Sequence, residues 1–205
     1  MSSVLRRIGE DGVEILVERL DFSIENVRMQ SVALSADEQA RAARYRHERD
    51  RARFIVARAR LRALLGEKTG LSASSLCFDY GDSGKPFLSG SDLQFSLSHC
   101  EDLAAYAFAR QRPIGVDLEI ETPLAEADAI ASEYFSPEER NLYRELGFFV
   151  CWTRREALAK ASGIGLGTRL GESGRGWKLE SFSPLPGVIG AVATQAVASP
   201  RGRCN

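Results

Sequence analysis

The sequence predicts an α+β protein made of two small α+β lobes. Short segments with alternating apolar residues, which are typical of half-buried strands, recur between segments that begin with helix-capping signatures. The order of strand, helical segment and strand pair occurs twice, with a turn at residues 110–113 between the halves. We therefore expect an N-terminal lobe over residues 1–112, a C-terminal lobe over residues 113–205 and a ligand site in the cleft between them.

The composition of the 205-residue chain argues against several classes of protein. A formal net charge of -1 gives no overall attraction to nucleic acid, and no apolar run approaches the length that spans a membrane. The N-terminus lacks the apolar core of a secretion signal, so we expect a cytoplasmic protein with no membrane or nucleic-acid partner. The cysteines lack the spacing of a zinc site and are expected to be reduced packing residues. They are Cys77, Cys100, Cys151 and Cys204.

The N-terminal half opens with a predicted strand over residues 13–20, whose alternate apolar residues face one side. Ser35 and Glu38 then have the spacing of a capping box, in which the two side chains bond to free backbone N–H groups at a helix start. We expect a long helix from this point, ending near Gly66 or Gly70. A break near the middle of this helix is the alternative.

The predicted long helix carries nine arginines and has only Glu48 and Asp50 as interior acids. Such a run is commonly a solvated helix face, but it can equally bind phosphate, because the planar guanidinium fork matches phosphate oxygens. A nucleic-acid-binding module that used this helix would bind with steep salt dependence. The arginines are Arg41, Arg44, Arg46, Arg49, Arg51, Arg53, Arg58, Arg60 and Arg62.

A short strand is predicted over residues 75–80, followed by a turn at residues 81–86. Lys85 lies in this turn and is followed by Pro86. A P-loop requires serine or threonine after its lysine, so this turn is not a P-loop.

Two further strands are predicted over residues 93–97 and 102–109. The first ends at Ser98 and His99, and strand ends often carry functional groups. Without a positioned acid this pair is weak evidence for a hydrolase, and a loop histidine bonded to the backbone is the alternative for His99.

Residues 114–119 alternate apolar residues with a glycine and two acids, so Asp117 and Glu119 share the face opposite to the core. Neighbouring carboxylates repel each other unless a cation or a proton lies between them, and their hard oxygen ligands suit magnesium. An ordinary solvated strand face is the alternative. Because a magnesium-bound carboxylate set polarises phosphate oxygens, chemistry at phosphorus is the functional hypothesis.

A helix predicted over residues 148–161 ends at Gly163 and carries Glu156 and Lys160 four residues apart. These two side chains share one helix face. They add a third carboxylate and a cation to the predicted acidic pair.

Other segments of the C-terminal half have structural interpretations. A helical segment is predicted over residues 122–133, and Ser136 with Glu139 forms a second capping signature that gives Glu139 a structural role. Residues 163–176 are glycine-rich and predict a loop, and residues 177–193 predict a closing hairpin.

Five stretches in this order resemble the Sfp-type 4′-phosphopantetheinyl transferases, and the resemblance covers roughly residues 35–193. It implies the 4′-phosphopantetheinyl transferase fold, a pseudo-twofold pair of similar α+β lobes with coenzyme A between them. It also implies transfer of the phosphopantetheine arm to a serine of an acyl, peptidyl or aryl carrier protein. The stretches are Gly84-Lys85-Pro86, Phe95 to His99, Ile114 to Glu119, Phe135 to Glu139 and Trp152 to Lys160.

The resemblance assigns roles to the predicted site residues. Asp117, Glu119 and Glu156 would bind Mg2+, Glu156 would also serve as the base, and Lys160 would face the pyrophosphate. Glu139 would act at the site as well as in its helix cap. The binding residues for coenzyme A would be Lys85 and Pro86 at the adenine and ribose end, Ser98 and His99 at the phosphates, and Arg41 and Arg53 at further phosphate groups.

The chain departs from the family pattern at two positions. Arg155 stands where the family usually has lysine, and Glu38 stands where a basic residue is common. A non-catalytic relative that binds coenzyme A or carrier proteins is therefore an alternative to the transferase. Because two internal lobes complete one site, we expect a monomer.

Overall fold

The structure, a computed structural model, describes residues 3–9, 11–164 and 176–196. It has an α+β fold, which confirms the predicted class. The elements up to residue 110 are β1 (Ser3–Ile8), β2 (Glu14–Arg19), α1 (Ile24–Ser31), α2 (Ala36–Ala43), α3 (Glu48–Thr69), a 3-10 turn (Ala73–Ser75), β3 (Phe78–Tyr80), β4 (Pro86–Leu88), β5 (Leu93–Cys100) and β6 (Leu103–Arg110). Those after it are β7 (Ile114–Ile120), α4 (Ala127–Tyr134), α5 (Pro137–Leu146), α6 (Phe148–Ser162), β8 (Trp177–Leu185) and β9 (Val188–Gln195).

The described strands form antiparallel sheets. A four-stranded sheet has the order β1-β2-β6-β5, a three-stranded sheet has the order β7-β9-β8, and β3 pairs with β4. Strands β5 and β7 are edge strands of different sheets and meet through side chains. The backbone N–H of Val116 donates to Ser96 Oγ at 3.0 Å, so a serine takes the place of a ladder bond at this junction.

An apolar core lies between the four-stranded and the three-stranded sheet. Ile15 and Val17 of β2 and Ala107 of β6 pack in one cluster with Ile114 and Val116 of β7. All five are buried. Burial of a valine or isoleucine side chain stabilises the fold by about 1.5–3 kcal/mol, so this cluster holds the two halves of the chain together.

Helix α3 covers the other face of the four-stranded sheet. Leu61 and Leu65 of the helix pack in one cluster with Tyr106 and Phe108 of β6. The buried Tyr106 hydroxyl donates to the carbonyl of Ala57 at 3.3 Å, which satisfies its hydrogen-bonding need. The helix and its arginines are thereby fixed relative to the sheet.

Helix α6 lies against the second face of β7, and this contact depends on Gly115. A Cβ at Gly115 would lie 2.0 Å from the carbonyl oxygen of Ala157 and 2.5 Å from the backbone nitrogen of Ala161. Only glycine permits so close an approach of strand and helix. The face predicted to lie opposite to the core is therefore covered by a helix, and the alternative of a solvated strand face is wrong.

The predicted long helix is broken, as in the alternative considered above. Helices α2 and α3 are separated by residues 44–47, and α3 ends at Gly70, whose φ of 74° is left-handed. Strands β1 and β4 and helix α1 were not predicted from the sequence. Helix α1 has no fully buried residue, so its apolar face is a weak signal for a helix.

No helix in the described ranges combines the length and apolar character needed to cross a bilayer. Cys77, Cys100 and Cys151 are free thiols, while Cys204 falls outside the described residues. Most of the predicted glycine-rich loop, residues 165–175, falls outside them as well.

Candidate active site

Asp117, Ser98 and Lys160 form a hydrogen-bonded cluster where β5, β7 and α6 meet. Lys160 Nζ lies 2.6 Å from Asp117 Oδ1 and donates to Ser98 Oγ at 3.0 Å, while Ser98 Oγ donates to the same carboxylate oxygen at 2.8 Å. The alternation along β7 turns Asp117 toward α6, and Gly115 lets the helix come close enough for Lys160 to reach it. The structure therefore brings these three predicted site residues together.

Negative charge is concentrated around this cluster. Asp117 is 4% exposed, and Glu119 and Glu156 are half-buried. Burial raises the pKa of both glutamates, and the charge of Asp117 raises it further. Lys160 offsets part of the effect on Glu156. The three carboxyl groups thus interact electrostatically, and a cation would relieve their repulsion.

The donor set at this position suits a hard cation. Asp117 Oδ2 is buried and has no hydrogen-bond partner among the described residues. In the described part of the chain, no group of three or more His, Cys, Asp or Glu side chains is placed to hold a metal ion. An orphaned carboxylate oxygen beside two electrostatically strained carboxyls nevertheless has the chemistry that Mg2+ prefers. The magnesium site stays a prediction.

A cavity of about 370 Å3 opens beside the cluster, and several predicted residues line it. Cationic side chains dominate its polar lining, while Glu156 supplies a carboxylate. This combination suits an anionic ligand with an acid–base group at one end. The predicted site residues on its wall are Arg41, Lys85, Pro86, His99, Glu156 and Lys160.

Lys85 joins the β3–β4 turn to both β7 and α6. Its Nζ donates to the carbonyl of Ile114 at 2.8 Å and to that of Ala161 at 3.4 Å. Burial lowers the pKa of Lys85 to about 8. Partial desolvation and the Lys160 charge lower the pKa of His99, although the residue remains exposed at the surface. A neutral His99 can accept a hydrogen bond as well as donate one.

Arg53 and Glu139 are predicted site residues that neither line the cavity nor bond to the Asp117–Ser98–Lys160 cluster. Arg53 pairs with Glu101 at 2.7 Å and with Asp50 at 3.3 Å. Glu139 Oε2 accepts from the backbone N–H of Ser136 at 2.7 Å, as the predicted capping box requires, and lies 3.1 Å from Arg155 Nη1. Their proposed roles at the site stay predictions.

Several arginines of α3 pair with acids from elsewhere in the fold. Arg60 forms a bidentate pair with Glu18 at 2.7 and 2.8 Å. Arg58 and Arg62 are buried and share Glu38. Arginines held in internal ion pairs are less available to bind a nucleic-acid backbone. This weakens the alternative of a nucleic-acid-binding module.

The cavity lining also includes residues that were not selected as site residues, among them Tyr45, Phe54, Arg58 and Ser96. The rings of Tyr45 and Phe54 are 5.5 Å apart, and the Arg41 guanidinium lies 5.4 Å from the Phe54 ring centre. Isolated aromatics in a helical pattern predict packing residues, and Arg58 is one of many similar arginines. Its place in the sequence carried no signal that could separate it from the others.

Glu139→Ala should lower the melting temperature more than Glu139→Gln, because glutamine still accepts the Ser136 N–H. Loss of a cap costs about 0.5–2 kcal/mol. Thermal unfolding of both variants measures this difference, and transfer activity measures the need for the charge. Equal melting temperatures would contradict the structural role. Full activity of Glu139→Gln would show that the carboxylate charge is dispensable at the site.

If Arg41 contacts a phosphate group of coenzyme A, as the resemblance implies, Arg41→Ala should raise KM for coenzyme A about tenfold with a smaller change in kcat. Steady-state kinetics with varied coenzyme A measure the change. Arg51→Ala is a matched control, since Arg51 pairs with Glu48 and does not line the cavity. An unchanged KM in Arg41→Ala would remove Arg41 from the binding site.

Cations on a cavity wall, with clustered carboxyls and a lysine at one end, are the features of a site for chemistry on a phosphate-bearing ligand. Comparison with known families gives the particular class. Residues 113–189 match the family described as the 4′-phosphopantetheinyl transferase superfamily, and residues 23–111 match its 4′-phosphopantetheinyl transferase N-terminal family. The chain belongs to the 4′-phosphopantetheinyl transferase superfamily.

Individual relatives agree with this assignment. The chain is 37% identical to the 4′-phosphopantetheinyl transferase HetI of Nostoc sp. over 75% of this chain and 70% of the relative. It is 33% identical to the 4′-phosphopantetheinyl transferase AcpT of Salmonella typhi over 54% and 57% of the two chains. It is 29% identical to a 4′-phosphopantetheinyl transferase of Bacillus subtilis over 65% and 62%.

Proposed function

We propose that this chain transfers the 4′-phosphopantetheine arm of coenzyme A to a serine hydroxyl of an apo carrier protein, as an Sfp-type enzyme. The observation that carries the proposal is the Asp117–Ser98–Lys160 cluster, which lies beside a cation-lined cavity with Glu156 on its wall. The proposed reaction needs no nucleophile from this chain, because the attacking hydroxyl belongs to the carrier protein.

Coenzyme A is proposed to lie in the cavity between an N-terminal lobe, residues 1–112, and a C-terminal lobe, residues 113–205. The two family matches meet at this boundary, since one ends at residue 111 and the other begins at residue 113. Arg41 and Lys160 would contact phosphate groups, and Lys85 with Pro86 would lie at the adenine and ribose end. One chain supplies all of these groups, so a monomer would suffice.

Asp117, Glu119 and Glu156 would hold Mg2+, which when bound polarises phosphate oxygens and balances developing negative charge. The orphaned Oδ2 of Asp117 supports this assignment, because a buried carboxylate oxygen without a donor is costly unless a cation satisfies it.

The reaction forms a bond from the carrier serine oxygen to the β-phosphorus of coenzyme A and breaks the bond to 3′,5′-ADP, which leaves. Glu156, which lies on the cavity wall, would accept the serine proton. Lys160, fixed by Asp117 and Ser98, would stabilise negative charge on the departing pyrophosphate oxygen.

The test is incubation of the protein with coenzyme A, magnesium and apo carrier proteins from fatty-acid, polyketide and nonribosomal peptide synthesis. Intact-mass analysis of each carrier then reports transfer and preference together. Modification of carriers from several pathways would support the Sfp-type assignment. Binding of coenzyme A without modification of any carrier would instead identify a non-catalytic relative.

A further inference from the structure

We propose that Arg58 binds a phosphate group of coenzyme A at the cavity wall and that Glu38 positions it there. The inference rests on the proposed function, since coenzyme A is the ligand meant. It adds two residues to the site. Arg58 was only one of nine arginines in a run that could bind phosphate, and Glu38 had no role in ligand binding from the sequence or the family resemblance.

The Arg58 side chain is held from three sides. Its Nε donates to Glu38 Oε1, and its Nη2 donates to the Tyr80 hydroxyl at 3.3 Å. The guanidinium lies 4.1 Å from the centre of the Phe78 ring, a cation–π contact. Although nearly buried, the residue lines the cavity. A guanidinium fixed in this way loses little conformational entropy when it binds an anion.

The charges around Arg58 are not balanced by the fold. Glu38 already pairs with Arg62, whose Nε lies 2.6 Å from Glu38 Oε2 and whose Nη1 donates to the carbonyl of Ala73 at 2.6 Å. One buried carboxylate therefore serves two guanidiniums. Asp37 is exposed and reaches Arg58 only through Tyr80. A nearly buried positive charge in excess is costly unless an anion approaches, and the cavity is where one can approach.

Glu38 is ionised and rigid in this arrangement. Burial alone would raise its pKa, but the charge of Arg58 and the donors Ser35 N–H, Arg62 and Arg58 together lower the pKa of Glu38 below its ordinary value. The family resemblance implies a basic residue where this chain has Glu38. In this chain the basic residue is Arg58 of α3 instead, and Glu38 of α2 holds its guanidinium at the cavity wall.

The experiment measures the Kd of coenzyme A for the folded protein by calorimetry, across a salt series, with Arg58→Gln and Arg62→Gln as a matched pair. Both arginines bond to Glu38 and lie near Phe78, but only Arg58 lines the cavity. Arg58→Gln should raise Kd about tenfold or more and flatten its salt dependence. Arg62→Gln should lower the melting temperature and leave Kd within about twofold of the wild-type value. Arg58→Lys, which keeps the charge, should fall between wild type and Arg58→Gln, and it replaces Arg58→Gln if that variant does not fold.

Parallel titrations with 3′-dephospho-coenzyme A identify the phosphate. If Arg58 binds the 3′-phosphate, Arg58→Gln should leave the Kd of 3′-dephospho-coenzyme A unchanged. If Arg58 binds the pyrophosphate, Arg58→Gln should raise the Kd of both ligands. An unchanged Kd in Arg58→Gln would overturn the inference, and so would a rise in Kd in Arg62→Gln as large as that in Arg58→Gln. In either case the proposed function still holds if the wild-type protein modifies carriers. A wild-type protein that binds no coenzyme A would overturn both.

Discussion

Asp117→Asn is expected to abolish transfer while the protein stays folded. The amide keeps the shape and the Oδ1 acceptor for Ser98, but it removes the negative charge that pairs with Lys160 and that would ligate magnesium. Loss of a group that acts mainly in the transition state should lower kcat by about a hundredfold or more. The melting temperature without magnesium should hold within a few degrees, because relief of repulsion with Glu119 and Glu156 offsets loss of the ion pair.

The measurement is the transfer rate across a magnesium titration, with melting temperature recorded with and without the metal. Asp102→Asn is the matched control, since Asp102 is an exposed carboxylate that pairs with Arg19 away from the cavity. Glu156→Gln should also lose activity, and extra magnesium should rescue it less than Asp117→Asn if Glu156 is also the base. Near-normal transfer by Asp117→Asn at ordinary magnesium would contradict the metal-site assignment.

Gly115→Ala is expected to destabilise the fold severely and to remove activity with it. The added methyl would lie 2.0 Å from the Ala157 carbonyl oxygen, so β7 and α6 would have to separate. Overpacking of a tight interface costs typically 1–3 kcal/mol and occasionally more, and a clash with rigid backbone belongs at the upper end, about 3 kcal/mol. For a chain of this size that corresponds to a fall in melting temperature of roughly 6–12 °C.

Thermal unfolding and transfer rate test this expectation together. Any folded fraction of Gly115→Ala should remain impaired, since the separation that accommodates the methyl also moves Lys160 away from Asp117. Gly81→Ala is the control, because a Cβ there would meet only the Lys85 carbonyl oxygen, at an ordinary distance of 3.9 Å. Wild-type stability and activity in Gly115→Ala would show that the approach of helix and strand does not determine the site.

The sequence carried the signals for the parts of the site that lie on regular elements. The alternation over residues 114–119 predicted that Asp117 lies opposite the core residues, and the four-residue spacing of Glu156 and Lys160 predicted their common face. Both follow from the period of a single element. Gly115, at the contact of β7 with α6, was visible in the sequence. Its role depends on a helix that lies some 40 residues later in the chain.

The ion-pair network around α3 could not be predicted in the same way. The four-residue spacing places Arg58 and Arg62 on one helix face. No local sequence pattern indicates that Glu38 of another helix will be buried and pair with both of them. The capping box alone was a sufficient explanation for Glu38. The second role of Glu38, as the partner of two buried arginines, depends on tertiary contacts. Likewise, no sequence pattern indicated that Tyr45 and Phe54 line the cavity.

The most direct test of the proposed function is the intact mass of an apo carrier protein after incubation with the purified wild-type chain, coenzyme A and magnesium. A carrier that this chain accepts should gain one phosphopantetheine arm, with one equivalent of 3′,5′-ADP released. The same carrier with its acceptor serine replaced by alanine should gain none, and chelation of magnesium should stop the reaction. Failure to modify any carrier, across carriers of several pathways, would contradict the proposed function.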